Sequence, residues 1–198
     1  MALRFSQDIK TLLQNLAEQP LSLDAILAQT SERGFSLVIG LLVLPFLLPM
    51  PPGLTGPLGA ACFLLAVQMA LGRRSPWLPK RVAKFRFPRW FILRLLNNLQ
   101  RVTRLLEKIT RRRWLTVAEH PQSWRLNGLC MAWLTILLIL PIPLTNPIPT
   151  MGILLFVVAT LEGDGLLMCI SYGFTILITL GFAVLFYLLW QTPTLFSN

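Results

Sequence analysis

The chain has 198 residues, of which 55% are hydrophobic and only 13% charged, with a mean hydropathy of +0.64. A soluble domain carries about a quarter charged residues, so composition excludes an ordinary water-soluble globule and points to an integral membrane protein. The net charge of +10 is segregated: 15 of the 18 Lys and Arg lie between Arg73 and Arg125, where Glu107 and Glu119 are the only acids.

Residues 1–33 are polar enough to lie outside the membrane as amphipathic cytoplasmic helices. Phe5, Ile9, Leu12, Leu13 and Leu16 recur at helical spacing, Pro20 ends that stretch, and Ser22 can cap a second helix reaching Arg33. Met1 to Lys10 contains no apolar core, so a cleaved secretory signal is not expected.

Residues 34–73 read as a hairpin of two apolar runs, Gly34 to Leu48 and Pro57 to Gly72, broken by Pro49, Pro51, Gly53 and Pro57. Proline lacks an amide hydrogen and clashes with the preceding turn, so no continuous helix passes through this stretch. A run of 15 residues reaches about 22 Å against a hydrocarbon core of roughly 30 Å. Each run is therefore a thin crossing or half of a re-entrant hairpin, and both readings stay open.

The segment 74–125 is basic. Its first part holds Pro76 and Pro79 and reads as extended. From Trp90 to about Arg113, one helical face carries Ile92, Leu95, Leu99, Val102, Leu106 and Ile109, and the other Arg94, Arg101, Arg104, Lys108 and Arg111. Such a helix lies in a membrane surface with its arginines at anionic headgroups. Apolar flanks tether it to a bilayer, so lipid is the expected partner and nucleic acid is not. Basic residues beside membrane segments stay cytoplasmic.

Residues 126–164 repeat the first hairpin. Pro49, Pro51 and Pro57 fall on Pro141, Pro143 and Pro149 at a constant offset of 92, and Arg33 falls on Arg125. Paired breaks in corresponding apolar segments are how transporter-like proteins place irregular backbone near the membrane midplane. Two ordinary turns left by a duplication would give the same pattern. Parallel repeats are favoured over inverted ones, because inversion would carry Arg94, Arg101 and Arg104 through hydrocarbon at about 2.5–3.5 kcal/mol each. Residues 165–190 carry no formal charge and form the one segment long enough to span alone, with Tyr187 and Trp190 suited to an interface.

The ionisable and polar candidates are few. Glu162 and Asp164, between apolar runs, are either a proton or cation site or a surface turn. Gln68 inside an apolar run needs a partner, a neighbouring helix or a ligand. Arg33 and Arg125 mark the boundary of each half or reach toward the acidic pair. Cys62, Cys130 and Cys169 are scattered without metal-ligand spacing, and His120 is the single histidine. No metal or cofactor is expected, and no catalytic motif is present.

Leu48-Pro49-Met50-Pro51-Pro52-Gly53, then Gln68-Met69-Ala70-Leu71-Gly72-Arg73, then Pro76-Trp77-Leu78-Pro79 resembles the ExoD family of bacterial membrane proteins. Pro141-Ile142-Pro143-Leu144-Thr145-Asn146 and Asp164-Gly165 agree with it in the second half. The resemblance covers roughly residues 20–190. It implies an association with exopolysaccharide production and with tolerance of alkaline conditions, and it brings no assigned reaction. The family segment before Asp-Gly is often basic, whereas Glu162 stands there here.

The expected fold is thus an all-α integral membrane protein of the bacterial inner membrane. It comprises two Pro-broken hairpin repeats, a basic interfacial linker helix and one full C-terminal transmembrane helix. Either it is transport-like or accessory, with a polar site near Gln68, Glu162 and Asp164 for protons, cations or a lipid-linked saccharide, or it is a scaffold binding anionic lipid or exopolysaccharide assembly proteins through its basic helix. A homodimer is a candidate assembly for so small a chain.

Overall fold

A computed structural model describes residues 34–47, 55–73, 76–77, 114–118, 120–140 and 145–195. The expected N-terminal helices and Arg33, the prolines and glycine at 49, 51 and 53, Pro79, Pro141, Pro143 and the basic helix with Arg94, Arg101, Arg104, Lys108 and Arg111 lie outside these residues. Among the described residues all regular structure is helical.

The first helix, α1, is Gly34–Val43, and it tightens into a 3-10 turn at Leu44–Leu47. The tightening begins beside Pro45, whose missing amide hydrogen interrupts the α-helical ladder before the expected break at Pro49. Apart from Ser36 this helix is apolar, and its described side chains are buried. Phe35, Val38, Ile39, Leu42 and Val43 are fully enclosed, as expected of a core helix with no polar stripe.

Helix α2 is Thr55–Ala70 and helix α5 is Pro147–Glu162, with α3 at Leu115–Ala118 and α4 at Pro121–Ile139 between them. Pro57 and Pro149 each occupy the third residue of their helix, where a missing N–H leaves no bond unmade. The starts Thr55 and Pro147 stand 92 positions apart, and so do the ends Ala70 and Glu162. Sixteen residues rise about 24 Å. The final helix, α6, is Gly165–Leu195, five residues longer than the uncharged run suggested.

Side-chain contacts fix the directions of these helices. Gly128 near the start of α4 touches Ala66, Met69 and Ala70 at the end of α2, while Ile139 at the end of α4 touches Gly59. Asn127 bonds Thr160 near the end of α5, and Leu134 meets Gly152. Both α2 and α5 therefore run antiparallel to α4, and parallel to each other. Helix α1 packs on α2 and α5, closing a four-helix ring, and α6 lies against α5. Its first residue, Gly165, sits under the Trp114 carbonyl beside α3.

Helices α2 and α4 cross closely through small residues, Ala66 and Ala70 against Gly128. Such small-xxx-small faces let helix backbones approach without a hydrophobic driving force between them. On the outside, α6 is apolar and uncovered. Only 22% of its most apolar window is buried, and Ile176, Leu177, Leu180 and Val184 face outward. A core helix of a soluble protein would be covered, so this surface suits acyl chains.

Candidate functional site

Asn127 and Gly128 are neighbours on α4, and they reach the C-terminal ends of α5 and α2 respectively. That places Gln68, Arg73, Arg125, Glu162 and Asp164 at one end of the bundle.

At the α2 corner, Gln68 is buried and engaged at both ends of its amide. Its Nε2 donates to the Trp77 carbonyl at 2.7 Å, and its Oε1 accepts from the Trp77 amide at 2.9 Å. Its partner is thus the backbone of its own following loop. The loop can fold back because Gly72 ends α2 in the left-handed region, φ +80°, where an L side chain is strained. The Arg73 amide then donates to the Gln68 carbonyl at 3.0 Å. Trp124 on α4 locks the turn from the far side. Its indole N–H donates to the Arg73 carbonyl at 3.3 Å, and its ring packs edge-on against Phe35, centroids 6.1 Å apart. Gln68, Gly72, Arg73 and Trp77 of the order read in the sequence thus form a single clamp.

Arg125, one residue on, lays its guanidinium against Gly72. A Cβ there would stand 3.1 Å from Nε. The cation lies where the carbonyls of α2 end, the favourable pole of the helix dipole.

The α5–α6 corner is built differently. Gly163 closes α5 in the left-handed region, φ 67°, and the Asp164 amide donates to the Ala159 carbonyl at 3.0 Å. Asp164 is buried, and its Oδ1 accepts from the amides of Leu166 and Leu167, both at 3.1 Å. It caps α6. Gly165 follows because any Cβ would lie 2.4 Å from the Trp114 carbonyl oxygen. The Asp-Gly pair is therefore explained by capping and close packing. Glu162 is partly exposed beside it. His120 does the same service for α4, its Nδ1 accepting from the Gln122 amide at 3.2 Å.

Sequence reasoning missed the residue that knits the centre. Asn127 is buried, donates from Nδ2 to the Thr160 hydroxyl at 3.2 Å and to the Met168 sulfur at 3.5 Å, and accepts from the Tyr172 hydroxyl at 2.5 Å. Three helices, α4, α5 and α6, meet on one amide. An Asn four residues before Met131 in an apolar helix was the available signal. Cys62 packs in the α2–α4 seam, 3.5 Å from the Thr135 hydroxyl. Among the described residues no group of three His, Cys, Asp or Glu could hold a metal ion.

An all-helical bundle with one uncovered helix long and apolar enough to cross a membrane suggests the membrane-protein class. The chain belongs to the ExoD family: the family model described as "Exopolysaccharide synthesis, ExoD" matches residues 5–184. It is 31% identical over 186 residues to Protein ExoD of Rhizobium meliloti (strain 1021), covering 92% of this chain and 77% of that one. It is also 31% identical over 181 residues to an uncharacterized protein of Synechocystis sp., covering 88% and 84%. No solved structure matches it. By family it is linked to exopolysaccharide synthesis.

Proposed function

We propose that the protein is a multi-pass accessory or transport-like component of the bacterial plasma membrane in exopolysaccharide synthesis, working through the polar end of its bundle on the cytoplasmic side. The observation that carries this reading is the convergence of Gln68, Arg73, Arg125, Glu162 and Asp164 on one end of an otherwise apolar bundle. The excess of Lys and Arg in the segment that joins the halves supports a cytoplasmic placement of that end. Equal helix lengths at the 92-residue offset, with α2 and α5 parallel, support a duplication whose halves share one orientation. The paired Pro breaks and the enclosed α1 support short re-entrant helices, which is the transport-like form of the proposal.

The scaffold reading is favoured by a specific observation as well. The amides of Gln68 and Asn127 are occupied by partners within the chain, and Asp164 caps a helix, so three of the polar groups already serve the fold. In that form the basic helix binds anionic lipid or assembly partners.

Complementation of an exopolysaccharide defect in a strain lacking its ExoD protein separates the two. Glu162→Gln together with Asp164→Asn abolishes complementation if carboxylates carry protons or cations. Full complementation by that double variant, with loss on neutralising Arg94, Arg101, Arg104, Lys108 and Arg111, establishes the scaffold.

A further inference from the structure

At the α2–α4 corner, cationic and apolar surface lie together on one rigid edge. Arg73 and Arg125 are both exposed, and neither guanidinium has an ion pair among the described residues. Their backbones meet at one corner: the Arg125 guanidinium covers Gly72, and Arg73 is the next residue, its carbonyl bonded to Trp124. The acids at this end stand at the other corner, where Asp164 is committed to capping α6.

Below Arg125, α4 turns an apolar stripe outward. Leu129, Trp133 and Ile136 follow at one-turn spacing, 60%, 43% and 42% exposed, toward the far end of the helix. Beside Arg73, Trp77 is 59% exposed on a backbone that Gln68 clamps in place. Trp at such a level is the usual companion of lipid headgroups, with its apolar ring in the acyl boundary and its N–H toward water. A guanidinium fork matches phosphate geometry and is less strongly hydrated than an ammonium. The charge therefore sits at the head of a surface made for a hydrocarbon chain, which distinguishes a lipid-borne phosphate from a free one.

We propose that this corner is a binding site for the phosphate of an anionic phospholipid, with Arg73 and Arg125 contacting the headgroup and an acyl chain lying along Leu129, Trp133 and Ile136. The proposal rests on the membrane placement given above. It is separate from the basic helix, because it uses residues of the packed bundle whose geometry is fixed by the Gln68 clamp and Gly72.

The test is native mass spectrometry of the purified chain in a zwitterionic detergent. It is titrated with phosphatidylglycerol, with phosphatidylcholine of the same acyl chains, and with inorganic phosphate. Phosphatidylglycerol is expected to bind in preference, and Arg73→Gln and Arg125→Gln to weaken it about fivefold each, the equivalent of about 1 kcal/mol per arginine near an anionic surface. Leu129→Gln is expected to weaken both lipids alike. Arg73→Gln is the decisive variant where Arg125→Gln also loosens α2, because the Arg73 side chain bonds no other element among the described residues. A thermal unfolding scan in the same detergent verifies that it folds.

Equal affinity for the two lipids overturns the proposal. So does undiminished phosphatidylglycerol binding by folded Arg73→Gln, Arg125→Gln and their double variant, or full competition by inorganic phosphate. A preference lost only when the arginines of 94–111 are neutralised also overturns it. Failure here leaves the role in exopolysaccharide synthesis standing, since complementation reads that role independently.

Discussion

Gly128 of α4 lies so close to Ala70 of α2 that a Cβ on the glycine would stand 2.4 Å from the Ala70 amide nitrogen. The obstruction is backbone, which cannot swing aside as a side chain can. The Met69 carbonyl carbon at 2.8 Å and the Ala66 oxygen at 2.9 Å close the other directions.

Gly128→Ala is accordingly expected to force the two helices apart and to destabilise by about 1–3 kcal/mol, the range for overpacking a close-packed core. The measurement is the thermal midpoint in detergent. Gly173→Ala on α6, where nothing lies within 4 Å, is the control and should leave the midpoint unchanged or raise it. An unaltered midpoint for Gly128→Ala would mean that α2 and α4 do not cross this closely.

The Gln68–Trp77 clamp makes a second expectation. Gln68→Leu removes both partners of a partly buried backbone donor and acceptor and is expected to cost about 1 kcal/mol. More tellingly, the loop it holds should open. Trypsin cleavage after Arg73 should accelerate in Gln68→Leu relative to wild type at a temperature where both remain folded. Equal cleavage rates would show that the clamp does not hold the loop in solution.

Asp164 separates capping from charge. Asn accepts from the amides of Leu166 and Leu167 as Asp does, so Asp164→Asn should keep most of the cap, while Asp164→Ala should lose about 1 kcal/mol. If Asp164→Asn complements and Asp164→Ala does not, in proportion to their thermal midpoints, the residue is a structural cap. Loss of complementation in a fully stable Asp164→Asn would restore the carboxylate as a working group.

These residues also mark what was legible in the sequence. Prolines and uncharged runs announce themselves through local chemistry, so the runs read from Pro57, Pro149 and Gly165 fall on α2, α5 and α6, although α2 and α5 start two residues earlier, at Thr55 and Pro147. Roles that depend on a partner distant in the chain did not follow. The Gly128–Ala70 crossing joins residues 58 positions apart, and Asn127 finds Tyr172 at a separation of 45. Nothing in either segment alone names the other. The carboxylate of Asp164 was visible as a candidate, but its engagement depends on the turn at Gly163, which sequence could read equally as a surface connector.

The Asn127 hub yields another expectation. Tyr172→Phe deletes one hydroxyl and leaves the Asn127 oxygen without its donor, at a cost of about 1–3 kcal/mol. Replacing both members, Asn127→Leu with Tyr172→Phe, removes the polar pair together and should cost less than the sum of the single variants. A double-mutant cycle of thermal midpoints reads the coupling. Additive losses would mean that the two side chains do not share a bond.

The orientation of the two halves is open to direct chemical measurement. Gly53 precedes α2 by two positions and Thr145 precedes α5 by two, and both helices run antiparallel to α4. Their starting ends therefore lie at the same end of the bundle, opposite Arg73 and Arg125. Single cysteines at Gly53→Cys and Thr145→Cys, in a chain lacking Cys62, Cys130 and Cys169, should react with an impermeant thiol reagent from one and the same face. A cysteine at Ser75→Cys should react from the other. Labelling of the two loops from opposite faces would contradict the packing of α2 and α5 on α4 and revive inverted repeats. Labelling of Ser75→Cys from outside the cell would move the polar end, and its arginines, away from the cytoplasm. Protection of both loops from both faces, with Ser75→Cys reactive from inside, would place the proline breaks within the bilayer. That outcome would decide for the re-entrant form, because α2 and α5 rise only about 24 Å and stop short of the roughly 30 Å that a full crossing needs.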